Sequence, residues 1–185
     1  MSLKLLLAIS LLVVISGCTI KDNKENLEEV NKMQSIIVST EAFKEGGNIP
    51  VEYTCDGSDV SPALSWSGIP EGTKSIALIM DDPDAPAGTW VHWVLFNIPP
   101  GTQKLPGAVP GNETLSDGSR HGMTDFGRVG YGGPCPPSGT HRYYFRIYAL
   151  DTKLDLPPGT GRKQVDGAMK GHILAKGELM GRYRR

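Results

Sequence analysis

The sequence has no internal repeat and no heptad pattern, which sets aside repeat arrays and coiled coils. Charge of neither sign is in excess. Its 19 Lys and Arg stand against 20 Asp and Glu, a formal net charge of -1, so there is no electrostatic case for a nucleic-acid partner. No apolar stretch is long enough for an ordinary spanning helix, and the longest, Leu5 to Ile15, has the length of a signal-peptide core. No serine sits in a nucleophile-elbow setting. Asp125-Phe126-Gly127 spells the magnesium-binding tripeptide of protein kinases, but the Gly-rich phosphate loop, the strand lysine motif and the HRD loop are all missing upstream. Cysteine is scarce, with three in 185 residues, so each has to be assigned singly.

What is present suits one β-rich domain. The 23 glycines and 14 prolines fall mostly between short apolar runs, a pattern of many turns and short strands, and a 39% hydrophobic content is enough for one core. Residues 1–18 read as an export segment: a lysine at position 4, the apolar stretch, then Ile15-Ser16-Gly17-Cys18. Small residues just before a cysteine resemble the bacterial lipoprotein cleavage box, which implies lipidation of Cys18, membrane attachment through it, and an extracytoplasmic, cell-envelope location. Residues 19–35, polar and mixed in charge, read as a flexible tether, and the domain is expected from Ile36 to Arg185.

Asp81 to Pro100 is the organising stretch of that domain. Prolines 83 and 86 fix a tight loop holding Asp82 and Asp84. A strand follows, in which strict alternation puts Trp90 and His92 on one face with Val94 and Phe96, and Val91, Trp93 and Leu95 on the other. Ser75 to Met80 has no alternation and reads as a central strand buried on both faces. Ala63 to Trp66 reads as an edge strand. Gly101 to Asp125 is a polar excursion whose Arg120-His121 pair reads as solvated surface. Gly130 to Pro137 reads as a preformed loop with amide groups free for an anion. From His141 the chain alternates again, with His141, Tyr143, Phe145 and Ile147 on one face. Thr160 to Ala175 reads as the one substantial helix, with Thr160 as its cap and His172 as packing or surface.

DPDAP followed by WVHW, with Tyr53 to Trp66, Asp125 to Leu150 and Met169 to Tyr183 in the same order, resembles the phosphatidylethanolamine-binding protein family, in its bacterial and archaeal Raf-kinase-inhibitor-like branch. The resemblance implies a large antiparallel sheet packed on a smaller one, with one or two short helices near the C-terminus. It implies that Asp82, Trp90, His92, His141 and Tyr143 surround a small pocket rimmed by Cys135, Pro136 and Pro137. In relatives such a pocket accepts phosphate, acetate or a phospholipid head group. Eukaryotic relatives line it with a C-terminal helix, whereas this sequence stops at Arg185, an expectation of a more open pocket.

Cys55 and Cys135 are either a disulfide pair or two separate buried thiols. No cofactor and no resident metal is expected, although Asp82, His92 and His141 are formally a two-His-one-carboxylate set. The favoured function is a non-catalytic binding module for a small anion or phosphorylated head group, which could modulate a protein partner, a kinase- or protease-inhibitor-like role by family analogy. The alternative is an acid–base hydrolase using the same Asp, His and Tyr groups.

Overall fold

The computed structural model describes residues 34–185. The export segment, Cys18 and nearly all of the expected tether lie outside the described residues. The first described strand, Gln34–Ser35 (β1), pairs in parallel with Ala175 and Lys176.

Two sheets face each other. The larger has six strands in the order β1, β9 (Ile173–Arg184), β8 (Thr140–Leu150), β4 (Ser75–Asp82), β5 (Trp90–Ile98) and β7 (Arg120–His121). All its pairings but the β1–β9 one are antiparallel. The smaller has β2 (Ile37–Ser39), β3 (Leu64–Ser67) and β6 (Lys104–Leu105). Between them lies a core of Leu78, Met80, Trp93, Leu95, Tyr143, Phe145 and Ile147 from the large sheet, met by Ile36, Val38, Leu64, Trp66 and Leu105. The outer face of the large sheet carries a second core of Ala77, Ile79, Val91, Val94 and Phe96, closed by Val165 and Met169 of the helix α1 (Arg162–Met169).

β4 is buried at every residue and runs between β5 and β8, as an apolar run without alternation requires. β3 is not an edge strand. It sits between β2 and β6, and its Gly- and Pro-rich approach misled because a three-stranded sheet can have short, turn-flanked strands throughout.

The expected helix is half right. α1 begins at Arg162 with Gly161 as its cap and no capping side chain, since Thr160 Oγ1 donates to Pro157 O at 2.7 Å. It ends at Met169, and Ile173 opens the longest strand of the domain. The inner face of β9 is mostly small, with Ala175, Gly177 and Gly181 beside a single large residue, Leu179. The two glycines make room for Ile36 and for Phe43 and Ile49.

His121 is not solvated. It is fully buried, pairs opposite Leu95, and its Nδ1–H donates to Asn112 O at 2.7 Å. Burial pushes its pKa down. His172 does lie at the surface, with Nδ1 2.7 Å from the Asp151 carboxylate.

Candidate functional site

The ends of three neighbouring strands build a cavity of about 300 Å³. β4 delivers Asp82, β5 delivers Trp90 and His92, and β8 delivers His141. The remaining walls are Ala85, Pro86 and Ala87 of the acidic loop, Phe126, and Cys135 to Pro137. All of the residues expected from sequence are brought together. Tyr143 lies one layer down, fully buried beneath the cavity rather than lining it.

A β-bulge sets the orientation of His92. Met80 pairs with Trp93 but Asp81 with Val91, so His92 is an extra residue on β5. The bulge breaks strict alternation. Val91 shares the outer face with Val94 and Phe96, while His92 turns inward against Tyr143, on the side of Trp93 and Leu95. The expected face assignment is therefore overturned. Bulges re-aim side chains next to functional sites, and no residue type announces this one.

Neighbouring segments fix the bulge. Val91 N–H donates to Asp125 Oδ2 at 2.7 Å, and Asp125 N–H returns a bond to Val91 O at 3.0 Å. Gly132 holds His92 at two points: its N–H donates to His92 O at 2.9 Å, and its carbonyl accepts from the ring Nδ1 at 2.7 Å. A carbonyl can only accept, so Nδ1 carries the proton and Nε2 is the ring nitrogen left for the cavity. Burial pushes the His92 pKa down, against weaker opposing contributions from the Gly132 carbonyl and Asp82.

His141 is oriented in the same sense by a different partner. Its Nδ1 lies 2.7 Å from Asp82 Oδ2, and Asp82 Oδ1 accepts the backbone N–H of Asp84 at 2.8 Å. Nε2 is again the uncommitted nitrogen. Asp84 itself takes no part in the cavity, because Arg142 grips its carboxylate through side chain and backbone and holds its pKa down at about 2. The Tyr143 hydroxyl makes no hydrogen bond of good geometry. Burial, with the Asp82 charge adding to it, pushes that phenol well above its ordinary pKa, so it stays a neutral donor.

Most of the expected amide donors at the rim are taken or missing. Gly132 N–H is spent on His92 O and Gly133 N–H on Asp59 Oδ1 at 2.6 Å, while Pro134, Pro136 and Pro137 have no N–H. The loop is a rigid apolar wall instead. Cys135 in that wall is bonded to Cys55, with S–S 2.12 Å and Cα atoms 5.5 Å apart.

Sequence reasoning missed Phe126 and Asp59. Phe126 meets Trp90 and His92 edge-on, at 5.6 and 5.2 Å between centroids, and closes one side of the cavity. The signal was an aromatic in a polar excursion, set aside with the kinase reading. The ring also packs on Gly132, where a Cβ would come within 2.5 Å of it. Gly132→Ala should therefore swing Phe126 outward, and the loss of its aromatic contacts should cost about 1 kcal/mol. Tryptophan fluorescence and denaturant unfolding would read this. A wild-type midpoint with an unshifted spectrum would refute the packing argument. Among the described residues, no cluster of three or more His, Cys, Asp or Glu side chains is placed to hold a metal ion.

Comparison with known proteins agrees with this fold. The family model described as phosphatidylethanolamine-binding protein matches residues 39–184. A UPF0098 protein of Methanothermobacter thermautotrophicus is 56% identical over 148 residues, covering 80% of this chain and 98% of that protein. One from Aquifex aeolicus is 52% identical over 151 residues, covering 80% and 88%. Among solved structures, a phosphatidylethanolamine-binding protein homologue from Chlamydia trachomatis superposes with a TM-score of 0.76 at 38% identity, covering 82% of this chain and 99% of that one. YbcL of E. coli gives 0.75 at 34%, with the same coverage. With the family model matching most of its length and relatives of this identity and coverage, this chain belongs to the phosphatidylethanolamine-binding protein family.

Proposed function

We propose that the domain is a non-catalytic binding module whose cavity takes a small anionic group, a phosphate ester or a carboxylate, between the ring nitrogens of His92 and His141. The observation that carries this reading is the matched pair of committed Nδ1 atoms, which leaves one Nε2 from each ring for a ligand. An imidazole with one nitrogen anchored is a directed donor once protonated. The apolar collar of Trp90, Phe126, Pro136 and Pro137 supports selection of an anion that carries an apolar or weakly polar substituent.

The apolar stretch ending in Ile15-Ser16-Gly17-Cys18 supports export and attachment through a lipidated Cys18. The Cys55–Cys135 bridge supports an oxidising compartment. A protein partner for the exposed surface stays a proposal by family analogy.

A second reading rests on the Asp82–His141 contact, which is also how a general base is oriented. It predicts turnover of a phosphoester or carboxylic ester that disappears in His141→Ala.

Titration of phosphate and phosphoethanolamine, followed through the His92 and His141 ring signals by NMR, tests the binding reading. Saturable shifts in both rings, lost in His92→Ala and in Asp82→Ala, are expected. Rings unmoved at millimolar ligand would sink it.

A further inference from the structure

Three arginines stand around the cavity mouth, and each has its own aspartate. Arg128, over the Phe126 ring, bonds Asp59 at 3.0 Å. Arg142 grips Asp84 at 2.9 and 2.6 Å. Arg185, whose guanidinium reaches Cys135 Sγ at 3.4 Å, pairs with Asp56 at 2.9 Å. Arg182 breaks the pattern. Among the described residues no carboxylate lies within 4.0 Å of its guanidinium, yet the strand register sets it directly opposite Arg142. Arg184, the next residue on that face of β9, has no such partner either and stands opposite Thr140.

Like charges placed opposite one another across an antiparallel pair weaken it. The chain as a whole carries a net charge of -1, so this local positive excess is not a general property of its surface. The excess also has a shape. Arg142 and Arg182 line a cleft of about 610 Å³ with Asp84, Ser138, Gly139, Thr140 and His141, and His141 is shared with the cavity described above.

We infer that this cleft is a second anion subsite, and that the natural ligand carries two separate anionic groups, one between the His92 and His141 rings and one at Arg182. The inference rests on the cavity reading above and names the ligand class for it. Arg142 is committed to Asp84, so the Arg182 guanidinium is the planar fork available for a phosphate or carboxylate. Ser138 and Thr140 line the same cleft and add hydroxyl donors. Once the first group is held, the second binds at a high effective concentration, so a doubly anionic ligand is selected over a singly anionic one.

The test is calorimetric titration of the full chain with α,ω-alkane bisphosphonates of graded length and with the matching alkyl monophosphonates. One bisphosphonate length should bind roughly threefold to fivefold more tightly than its monophosphonate, the range of an exposed ion pair. Arg182→Gln should remove that advantage and leave monophosphonate affinity unchanged. Equal affinity at every length, or an advantage indifferent to Arg182→Gln, overturns the second subsite and leaves the cavity reading standing. An Arg182-dependent bisphosphonate complex that survives His92→Ala overturns the shared ligand. Failure of the wild-type protein to bind either series overturns the cavity reading and this inference together.

Discussion

Gly177→Ala is expected to unfold the domain more readily than any surface substitution, by about 3 kcal/mol, through overpacking that no rotamer can relieve. Gly177 faces inward on β9, opposite Ile147 of β8. At this point the chain leaves β1 in the large sheet, passes through Ile36, and enters β2 in the small one. An alanine Cβ at position 177 would lie 1.9 Å from the Ile36 carbonyl oxygen and 2.7 Å from its carbonyl carbon. Both atoms are backbone. Ile36 is also tied to β9 by its N–H, which donates to Lys176 O at 3.0 Å, so relief means breaking the crossing. For a domain of this size the loss corresponds to roughly 6–12 °C in melting temperature. Gly101→Ala is the control, since nothing lies within 4 Å of its added methyl, and it should leave stability nearly unchanged. A Gly177→Ala protein that melts with the wild type would show that the two sheets are not joined so closely.

That glycine also marks the boundary of what could be read in the sequence. The middle of β4 and most of β8 were legible because their burial follows hydrophobicity: Ile76 to Met80 is apolar throughout, and Thr140 to Ala149 alternates. Asp82, Trp90, His92 and His141 were legible through the motif blocks that carry them, and the structure places them at adjacent strand ends. What escaped reading depends on a second segment. The inward turn of His92 comes from a bulge held by Asp125 and Gly132, which are distant in sequence. The burial of His121 comes from pairing with β5, which a polar run cannot announce. The glycine-spaced strand β9 exists because other chain segments lie across it. Local pattern reports what a residue prefers, whereas each of these positions is decided by what it meets.

The second large effect is on ligand affinity and follows from the burial of His92. Sulfate is the suitable probe because its own charge does not change near neutral pH. In the free protein burial holds the His92 pKa below its ordinary 6.5, so the ring is neutral at pH 7.5 and offers Nε2 only as an acceptor. An anion at Nε2 favours the protonated ring, so binding takes up a proton. Affinity should therefore rise as pH falls from 7.5, by up to about tenfold per pH unit, and level off below the depressed pKa. The groups facing the ring are Asp82, Asp125, Tyr143 and Phe126, and in His92→Gln, which keeps them all, this contribution to the slope should vanish. Stability of the free protein should move the opposite way. With the folded pKa lowered, the unfolded chain takes the proton first, so the His92 contribution is fully present above pH 6.5 and is lost as pH falls toward the depressed value. Each unit of depression is worth about 1.4 kcal/mol. Saturating sulfate should restore most of that loss in wild type and little of it in His92→Gln. A sulfate affinity that is flat with pH in the wild-type protein would mean that the anion does not meet His92, and the binding site would have to be sought outside the cavity.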